Sequence, residues 1–126
     1  MKRHKKLLYK NISKIDKAIK DSKKISFAYN RYSVDQLYNL KEEPEKRSDG
    51  TIKEYLVNPY QMIASNGCYY LICNHDRYNN MSYYRIDRIS NINIEETTRK
   101  SLDKIEGYEN GLEMTKLIKK NMYLFS

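Results

Sequence analysis

The sequence contains no tryptophan, and only two cysteines and two histidines occur among its 126 residues. Cys68 and Cys73 fall in one predicted strand at an odd spacing, which places them on opposite faces, so we do not expect a disulfide between them. There is no Cys-x-x-Cys pair and no histidine cluster, which argues against a zinc site. The cysteines are interpreted as small buried apolar residues.

Catalytic patterns are also absent from the sequence. His4 lies in a basic stretch and His75 lies in a polar loop, no Ser or Cys has a recognisable base partner, and there is no glycine-rich phosphate loop. We therefore predict that the protein is not an enzyme and that it uses no cofactor and no metal.

Long apolar runs are missing as well. No run approaches the roughly 20 residues that span a bilayer, and no apolar signal-peptide segment follows the basic start. The length of 126 residues fits one domain with a modest core. These features predict a soluble cytoplasmic protein with no membrane partner.

Positive charge is unevenly distributed along the chain, which carries a net charge of +8. Residues 1–24 contain ten Lys or Arg and two acidic residues, whereas residues 25–126 contain fourteen of each. The basic excess therefore gives no support for nucleic-acid binding by the rest of the chain. Residues 1–10 fit a basic tail or linker, with a phosphate-contacting arm as the alternative.

Two periodic segments follow this basic start. Ile12, Ile15 and Ile19 recur at helical spacing, which predicts a helix over residues 11–22 whose apolar stripe covers the β domain. The alternation of apolar residues then predicts a first strand, formed by Ile25, Phe27 and Tyr29.

The stretch 31–50 is polar and ends in a mixed-charge tip at residues 42–50, which we expect to be mobile. Strand character resumes over residues 51–57. Pro59 cannot donate a ladder hydrogen bond, so it should lie at a strand start, an edge or a bulge.

The segment from Val57 to Ile94 carries the clearest strand signals. Asn66-Gly67 separates two apolar runs, and both residues tolerate the positive φ of a tight hairpin turn. Tyr, Ile and Val suit a pleated, half-buried surface. The segment is therefore predicted to form successive antiparallel strands.

Ile86, Ile89 and Ile92 lie three residues apart, which does not fit one continuous strand. The spacing fits a strand, a 3₁₀ turn around residues 87–90, and a final strand at residues 92–94. Five short strands with such a corner predict a mainly β fold with flanking helices (α+β). Its core is a small five-stranded SH3-like or Sm-like barrel with an N-terminal helix.

Four motifs in this order resemble the WYL domain of bacterial transcriptional regulators over roughly residues 12–95. They are Ile25-Ser26-Phe27-Ala28-Tyr29, Asn58-Pro59-Tyr60, Tyr69-Tyr70-Leu71 and Tyr84-Arg85-Ile86-Asp87-Arg88-Ile89. Tyr69 stands where the family name has tryptophan. The resemblance implies an Sm-like barrel that senses a ligand, forms a homodimer, and works with a DNA-binding domain missing from this chain.

Arg offers a planar charged fork for phosphates and Tyr offers a ring for stacking a base. The resemblance then gives a candidate ligand or nucleic-acid site formed by Tyr60, Tyr70, Tyr84, Arg85 and Arg88. Alternatively, the tyrosines belong to the core and the arginines pair with acids such as Glu54 or Asp87. Both arginines can serve one site only if the predicted turn rotates Arg88 back.

The predicted organisation is a basic tail at 1–10, a WYL-like barrel with its helix at 11–95, and a linker and C-terminal helix at 96–126. The apolar end at Leu124-Phe125 suggests part of a longer regulator. The expected function is a regulatory domain that senses single-stranded nucleic acid or a nucleotide-like anion, with duplex DNA bound through the missing domain. A protein-interaction or dimerisation module is the alternative, and non-specific nucleic-acid binding by residues 1–24 is a third hypothesis.

Overall fold

The computed structural model describes residues 2–109, with side chains from residue 6 onward. One helix and six strands follow each other along the chain: α1 (Lys2–Lys20), β1 (Lys23–Val34), β2 (Leu40–Pro44), β3 (Glu54–Ser65), β4 (Cys68–Asn74), β5 (Ser82–Arg85) and β6 (Ile89–Thr98). Short 3₁₀ helices occupy Ile86–Arg88 and Leu102–Lys104. The helix predicted within residues 112–125 lies outside the described residues.

The long strand β1 organises the sheet. Its first half pairs antiparallel with β3 on one side and β6 on the other, so that Ile25 lies opposite both Val57 and Ile94. Its second half pairs with β2, while β3, β4 and β5 continue the sheet in that order. The sheet curls into a half-barrel, and the mainly β fold with an N-terminal helix is confirmed.

Helix α1 begins at Lys2, whereas the sequence pattern predicted a start at Asn11 and a basic tail before it. Leu8 explains the difference, because it lies one turn before Ile12 and packs with it against the core. Helix formation is cooperative, so a turn with one packed residue is recruited by the turns that follow.

The core lies between α1 and the concave face of the sheet. Ile15, Phe27, Leu71 and Ile86 are fully buried in it. Burial of each such side chain contributes about 1.5–3 kcal/mol relative to its exposure. The contacts of α1 with this face are what hold the helix in place.

Two local predictions are confirmed by backbone geometry. Asn66 and Gly67 have φ values of 51° and 77°, and they join the paired residues Ser65 and Cys68 as a two-residue hairpin turn. The register shifts between Pro59 and Gln61, which is the bulge expected from a proline in a strand.

The stretch expected to be mobile, residues 42–50, has a defined fold instead. β1 continues to Val34 and pairs with β2, and beyond β2 the amide of Glu45 donates to the carbonyl of Tyr29 at 2.9 Å. The Asp49 carboxylate accepts from the Thr51 amide at 3.0 Å and closes the next turn. The polar composition indicated a mobile loop. In the structure, backbone pairing and the Asp49 side chain provide hydrogen-bond partners for backbone groups of this stretch.

The stretch expected as a polar linker, residues 95–109, also joins the fold. Strand β6 runs on to Thr98, past the predicted end at Ile94, and Ile105 is fully buried. One apolar anchor in a polar segment gives no periodicity, so the sequence pattern missed it.

Candidate functional site

An aromatic cluster lies at one end of the sheet. Strand pairing places Phe27 of β1 opposite Tyr55 of β3, and their rings stack with centroids 5.7 Å apart. Tyr84 of β5 lies edge-on to Phe27 at 5.3 Å and to Tyr29 at 5.0 Å. His75, which follows β4, completes the cluster at 5.9 Å from the Tyr84 ring.

The polar atoms of this cluster are paired in its interior. The Tyr84 hydroxyl lies 2.7 Å from Nε2 of His75, and the Tyr55 hydroxyl donates to the Glu45 carboxylate. Burial raises the pKa of Tyr84 and of Tyr55, so both phenols stay protonated at neutral pH. Burial, together with the positive charges of Lys53 and Arg77, lowers the pKa of His75.

An open groove of about 690 Å³ runs along the outer side of the cluster. Its walls include the rings of Tyr55, His75 and Tyr84, and its charged lining residues are two cations, Lys53 and Arg77, and two acids, Glu54 and Asp76. The Lys53 ammonium group lies 4.9 Å from the Tyr55 ring centroid. The charges that line the groove are therefore mixed in sign, and aromatic surface is its main feature.

The two predicted arginines define a second feature, which we name the arginine corner: Tyr29, Tyr32, Arg85, Asp87 and Arg88. Arg85 donates to Asp87 through Nε at 3.0 Å and a terminal nitrogen at 2.7 Å. This pair is partly exposed. The two bonds form a bidentate pair, which is the strong geometry for arginine and a carboxylate, so an anionic ligand would have to compete with Asp87 for Arg85.

Arg88 has a different environment, because no carboxylate among the described residues pairs with it. Its guanidinium carbon lies 5.0 Å from the Tyr32 ring centroid. Its Nε atom is buried and has no hydrogen-bond partner among the described residues. An unpaired buried donor costs roughly 1–3 kcal/mol, so an acceptor brought to this atom is favoured.

Tyr29 links the two arginines. Its hydroxyl accepts a hydrogen bond from the Arg85 amide at 3.1 Å. Burial raises the pKa of Tyr29, while the charges of Arg88 and Arg85 act in the opposite direction. The charges of both arginines therefore act on one phenol, and the predicted 3₁₀ turn, Ile86–Arg88, separates the two residues. That both arginines serve one site stays a prediction.

Four of the five predicted site residues lie on β4, on β5 and in the turn that follows, but they do not share one face: Tyr84 and Arg85 are neighbours in β5, so their side chains point to opposite faces of the sheet. Arg85 and Arg88 share the corner, and Tyr84 precedes them on β5 with its ring in the aromatic cluster. Tyr70 is half-buried and lies opposite Arg85 in the pairing of β4 with β5. Their role in ligand binding stays a prediction.

Tyr60 lies elsewhere in the structure. Only 7% of it is exposed, its hydroxyl donates to the Lys100 carbonyl at 2.5 Å, and the Arg99 guanidinium lies 5.2 Å from its ring. Burial raises its pKa to about 12. These contacts tie β3 to the segment after β6, while the ligand role of Tyr60 also stays a prediction.

Sequence reasoning did not select Tyr29, Tyr32, Tyr55 or His75 as site residues. Tyr29 was assigned to a buried strand face, and its alternation with Phe27 places it beside the cluster. Tyr55 and His75 had no motif around them, and only the pairing of β1 with β3 and the end of β4 bring them together.

The curled antiparallel sheet, the N-terminal helix and the 3₁₀ corner define a small Sm-like barrel domain. The family model described as the WYL domain matches residues 10–94, which is more than half of the chain. The chain therefore belongs to the WYL domain family, as its motifs predicted. This membership makes it a regulatory domain of the kind found in transcriptional regulators.

Among solved structures, the chain is similar to proteasome accessory factor B/C (PafBC) of Arthrobacter aurescens, with a TM-score of 0.53 and 12% sequence identity. The match covers 75% of this chain and 12% of that chain, so this chain corresponds to a small part of it. This likeness supports the fold. No curated protein matches the sequence.

Among the described residues, no helix has the length and apolar character required to cross a membrane.

Proposed function

We propose that this chain is the ligand-sensing domain of a cytoplasmic bacterial transcriptional regulator. Its effector is single-stranded nucleic acid or a nucleotide-like anion, bound at the arginine corner and the adjoining aromatic cluster. Binding changes how a homodimer presents DNA-binding domains that lie outside this chain. The protein catalyses no reaction in this role.

The observation that carries the proposal is the environment of Arg88. Its buried Nε–H has no partner among the described residues, and its guanidinium carbon lies over an exposed ring, Tyr32, at 5.0 Å from the centroid. A phosphate oxygen would satisfy the donor, and a base could stack on the 44% exposed Tyr32. Arg85 supplies a second positive charge, because both Arg85 and Arg88 act electrostatically on the phenol of Tyr29.

The test is fluorescence anisotropy of a short labelled single-stranded oligonucleotide with the full chain at two salt concentrations. Arg88→Gln should weaken binding about tenfold and reduce the salt slope by about 0.7, the value for one phosphate contact on a single strand. Arg47→Gln is the matched control, because Arg47 bonds only within its own turn, to Thr51 and Ile52. If both variants bind like the wild type, the arginine corner is not the effector site.

A protein-interaction or dimerisation module is the second candidate, and a specific surface favours it. The tip of the β1–β2 hairpin exposes four apolar side chains: Val34, Leu37, Tyr38 and Leu40. Leu37 is 78% exposed and Tyr38 is 89% exposed. Exposed apolar groups of this kind mark interaction sites when they are contiguous.

Sedimentation velocity of the wild type and of Leu37→Ser/Tyr38→Ser distinguishes the two candidates. A dimer that dissociates in the double variant, with no oligonucleotide binding by the wild type, supports the interaction module. Oligonucleotide binding that survives the double variant supports the sensor.

A further inference from the structure

A second polar groove, separate from the aromatic cluster, lies between α1 and the start of β6. It has a volume of about 360 Å³, and its lining includes Lys10, Asn11 and Lys14 of the helix and Asn91 and Asn93 of the strand. We name it the lysine groove. None of the described residues that line it is acidic.

The groove is built from hydrogen-bond donors held in place by the backbone. Lys14 Nζ donates to the Ile92 carbonyl at 3.3 Å, which holds its charge over the groove wall. Asn93 Nδ2 donates to the Asn91 carbonyl at 3.3 Å. Asn91 has a φ of 52°, a left-handed conformation that turns the strand at this point.

Positive charge continues from the groove along α1. Lys6, Lys10, Lys14 and Lys17 are spaced four, four and three residues apart, so they share one face of the helix. Among the described residues, only Lys17 of these four has an ion pair, with Asp21 at 3.6 Å. The lysine groove therefore opens onto a row of ammonium groups that is largely uncompensated.

The chemistry of this row fits a nucleic-acid backbone better than a membrane. The apolar face of α1, which includes Ile12, Ile15 and Ile19, packs on the core and so cannot insert into lipid. One lysine per turn places a charge about every 5.4 Å along the helix, so the row can lie beside a chain of phosphates without a fixed register. A lysine ammonium group is a point charge without the planar fork of donors that arginine has. Lysines therefore recognise the negative charge of the phosphates and not the identity of the bases.

We infer that the lysine groove and the adjoining helix face form a second, sequence-independent contact for a nucleic-acid backbone. A phosphate lies between Lys10, Lys14 and the Asn93 amide. Asn11 donates to the carbonyls of Ile86 at 3.3 Å and Ile89 at 2.8 Å, so α1 is joined directly to the turn that carries Arg88. The lysine groove therefore adjoins the turn that carries Arg88.

The test compares Lys10→Gln/Lys14→Gln with Lys41→Gln/Lys46→Gln in the full chain. Both variants lose the same charge, but Lys41 and Lys46 lie on and after β2. With a labelled single strand of about 20 nucleotides, the groove variant should bind at least about fivefold more weakly, and its salt slope should fall by about 0.7 for the one phosphate that Lys10 and Lys14 share. Equal losses in the two variants would overturn the inference, because they would show a general charge effect.

Asn93→Ala tests the groove without changing charge. It should weaken binding about threefold and leave the salt slope unchanged, because an amide contact releases no counterion. If the Lys10/Lys14 variant does not fold, as judged by its melting curve, Lys6→Gln/Lys17→Gln replaces it, since those side chains are exposed. Wild-type affinity in both the folded lysine variant and Asn93→Ala would overturn the inference.

A labelled tetranucleotide separates this inference from the proposed sensor function. The groove variant should bind it as the wild type does, whereas Arg88→Gln should not. Competition with polyglutamate tests whether an acidic protein could occupy the groove instead. If polyglutamate displaces the 20-nucleotide strand when both are present at the same concentration of negative charge, the groove has no preference for nucleic acid.

Discussion

The guanidinium carbon of Arg88 lies 5.0 Å from the centroid of the Tyr32 ring, on a turn and a strand far apart in the sequence. The contact leaves the exposed Tyr32 ring beside an arginine whose Nε atom has no partner among the described residues. The contribution of each residue of the arginine corner to ligand binding can be measured by substitution.

Tyr32→Ala should weaken oligonucleotide binding at least about fivefold, because one stacking ring contributes about 1–3 kcal/mol, which corresponds to about 5-fold to 150-fold, and removing its cation–π contact frees Arg88 to move. Tyr32→Phe should retain most of the affinity, since the ring face is unchanged. Anisotropy titration measures both, and Tyr38→Ala is the control at an 89% exposed tyrosine. Equal binding by Tyr32→Ala and wild type would exclude stacking at this ring.

His75 should make the stability depend on pH. Its pKa is lowered in the folded protein, so the unfolded chain binds its proton first as the pH falls. The free energy of unfolding should therefore be highest above the ordinary histidine pKa of about 6.5 and decrease below it, until the folded-state pKa is passed. Urea unfolding of the wild type at several pH values measures the change.

The control for this titration is His75→Gln, which can still hydrogen-bond the Tyr84 hydroxyl but carries no titrating group. Its free energy of unfolding should vary less between neutral and mildly acidic pH. An identical pH profile in the variant would assign the effect to another group.

Asn11→Ala should destabilise the fold by about 1–3 kcal/mol, because it removes the buried side-chain donor of the Ile89 carbonyl and one of the two donors of the Ile86 carbonyl, which also accepts from the Ile89 amide. Asn11 is 2% exposed, so water cannot replace the amide directly. Chemical denaturation measures the loss, and Asn79→Ala in an exposed loop is the matched control. If the losses of unfolding free energy in Asn11→Ala and Asn79→Ala differ by less than about 0.5 kcal/mol, the Asn11 hydrogen bonds do not stabilise the fold.

Gly67→Ala should cost about 1–2 kcal/mol of stability, the cost of the left-handed conformation for a residue with a Cβ. Gly67 has a φ of 77°, and a Cβ built there would meet no atom within 4 Å, so the effect would be conformational and not steric. Thermal unfolding measures it, with Ser65→Ala as the control in the adjacent strand. An unchanged melting temperature would contradict the assigned turn.

Local chemistry was enough to predict several parts of the fold. Three of these predictions rest on features within a few residues. They are the Asn66-Gly67 turn, Pro59 in its strand, and the three-residue spacing from Ile86 to Ile92, and each depends on local backbone sterics or on the period of the side chains. The start of α1 was predicted wrongly because Leu8 is a single apolar residue in a lysine-rich segment. Its contribution depends on the core against which it packs.

The candidate site was only partly accessible to sequence reasoning. The WYL motifs pointed to Arg85 and Arg88, but Tyr29 lies 56 residues before Arg85, and no pattern links them. Tyr60 belongs to the same motif set, yet its ring contacts Arg99. Motif membership identified the family correctly without determining which side chains meet.

The sequence alone determined the central strands, the hairpin turn and the 3₁₀ corner, because φ/ψ preferences and side-chain alternation are properties of neighbouring residues. Only the tertiary structure decided that β1 extends to pair with β2, that Tyr32 lies beside Arg88, and that lysines of α1 meet asparagines of β6. These contacts depend on strand register and on the curl of the sheet, which are set by packing the whole core at once.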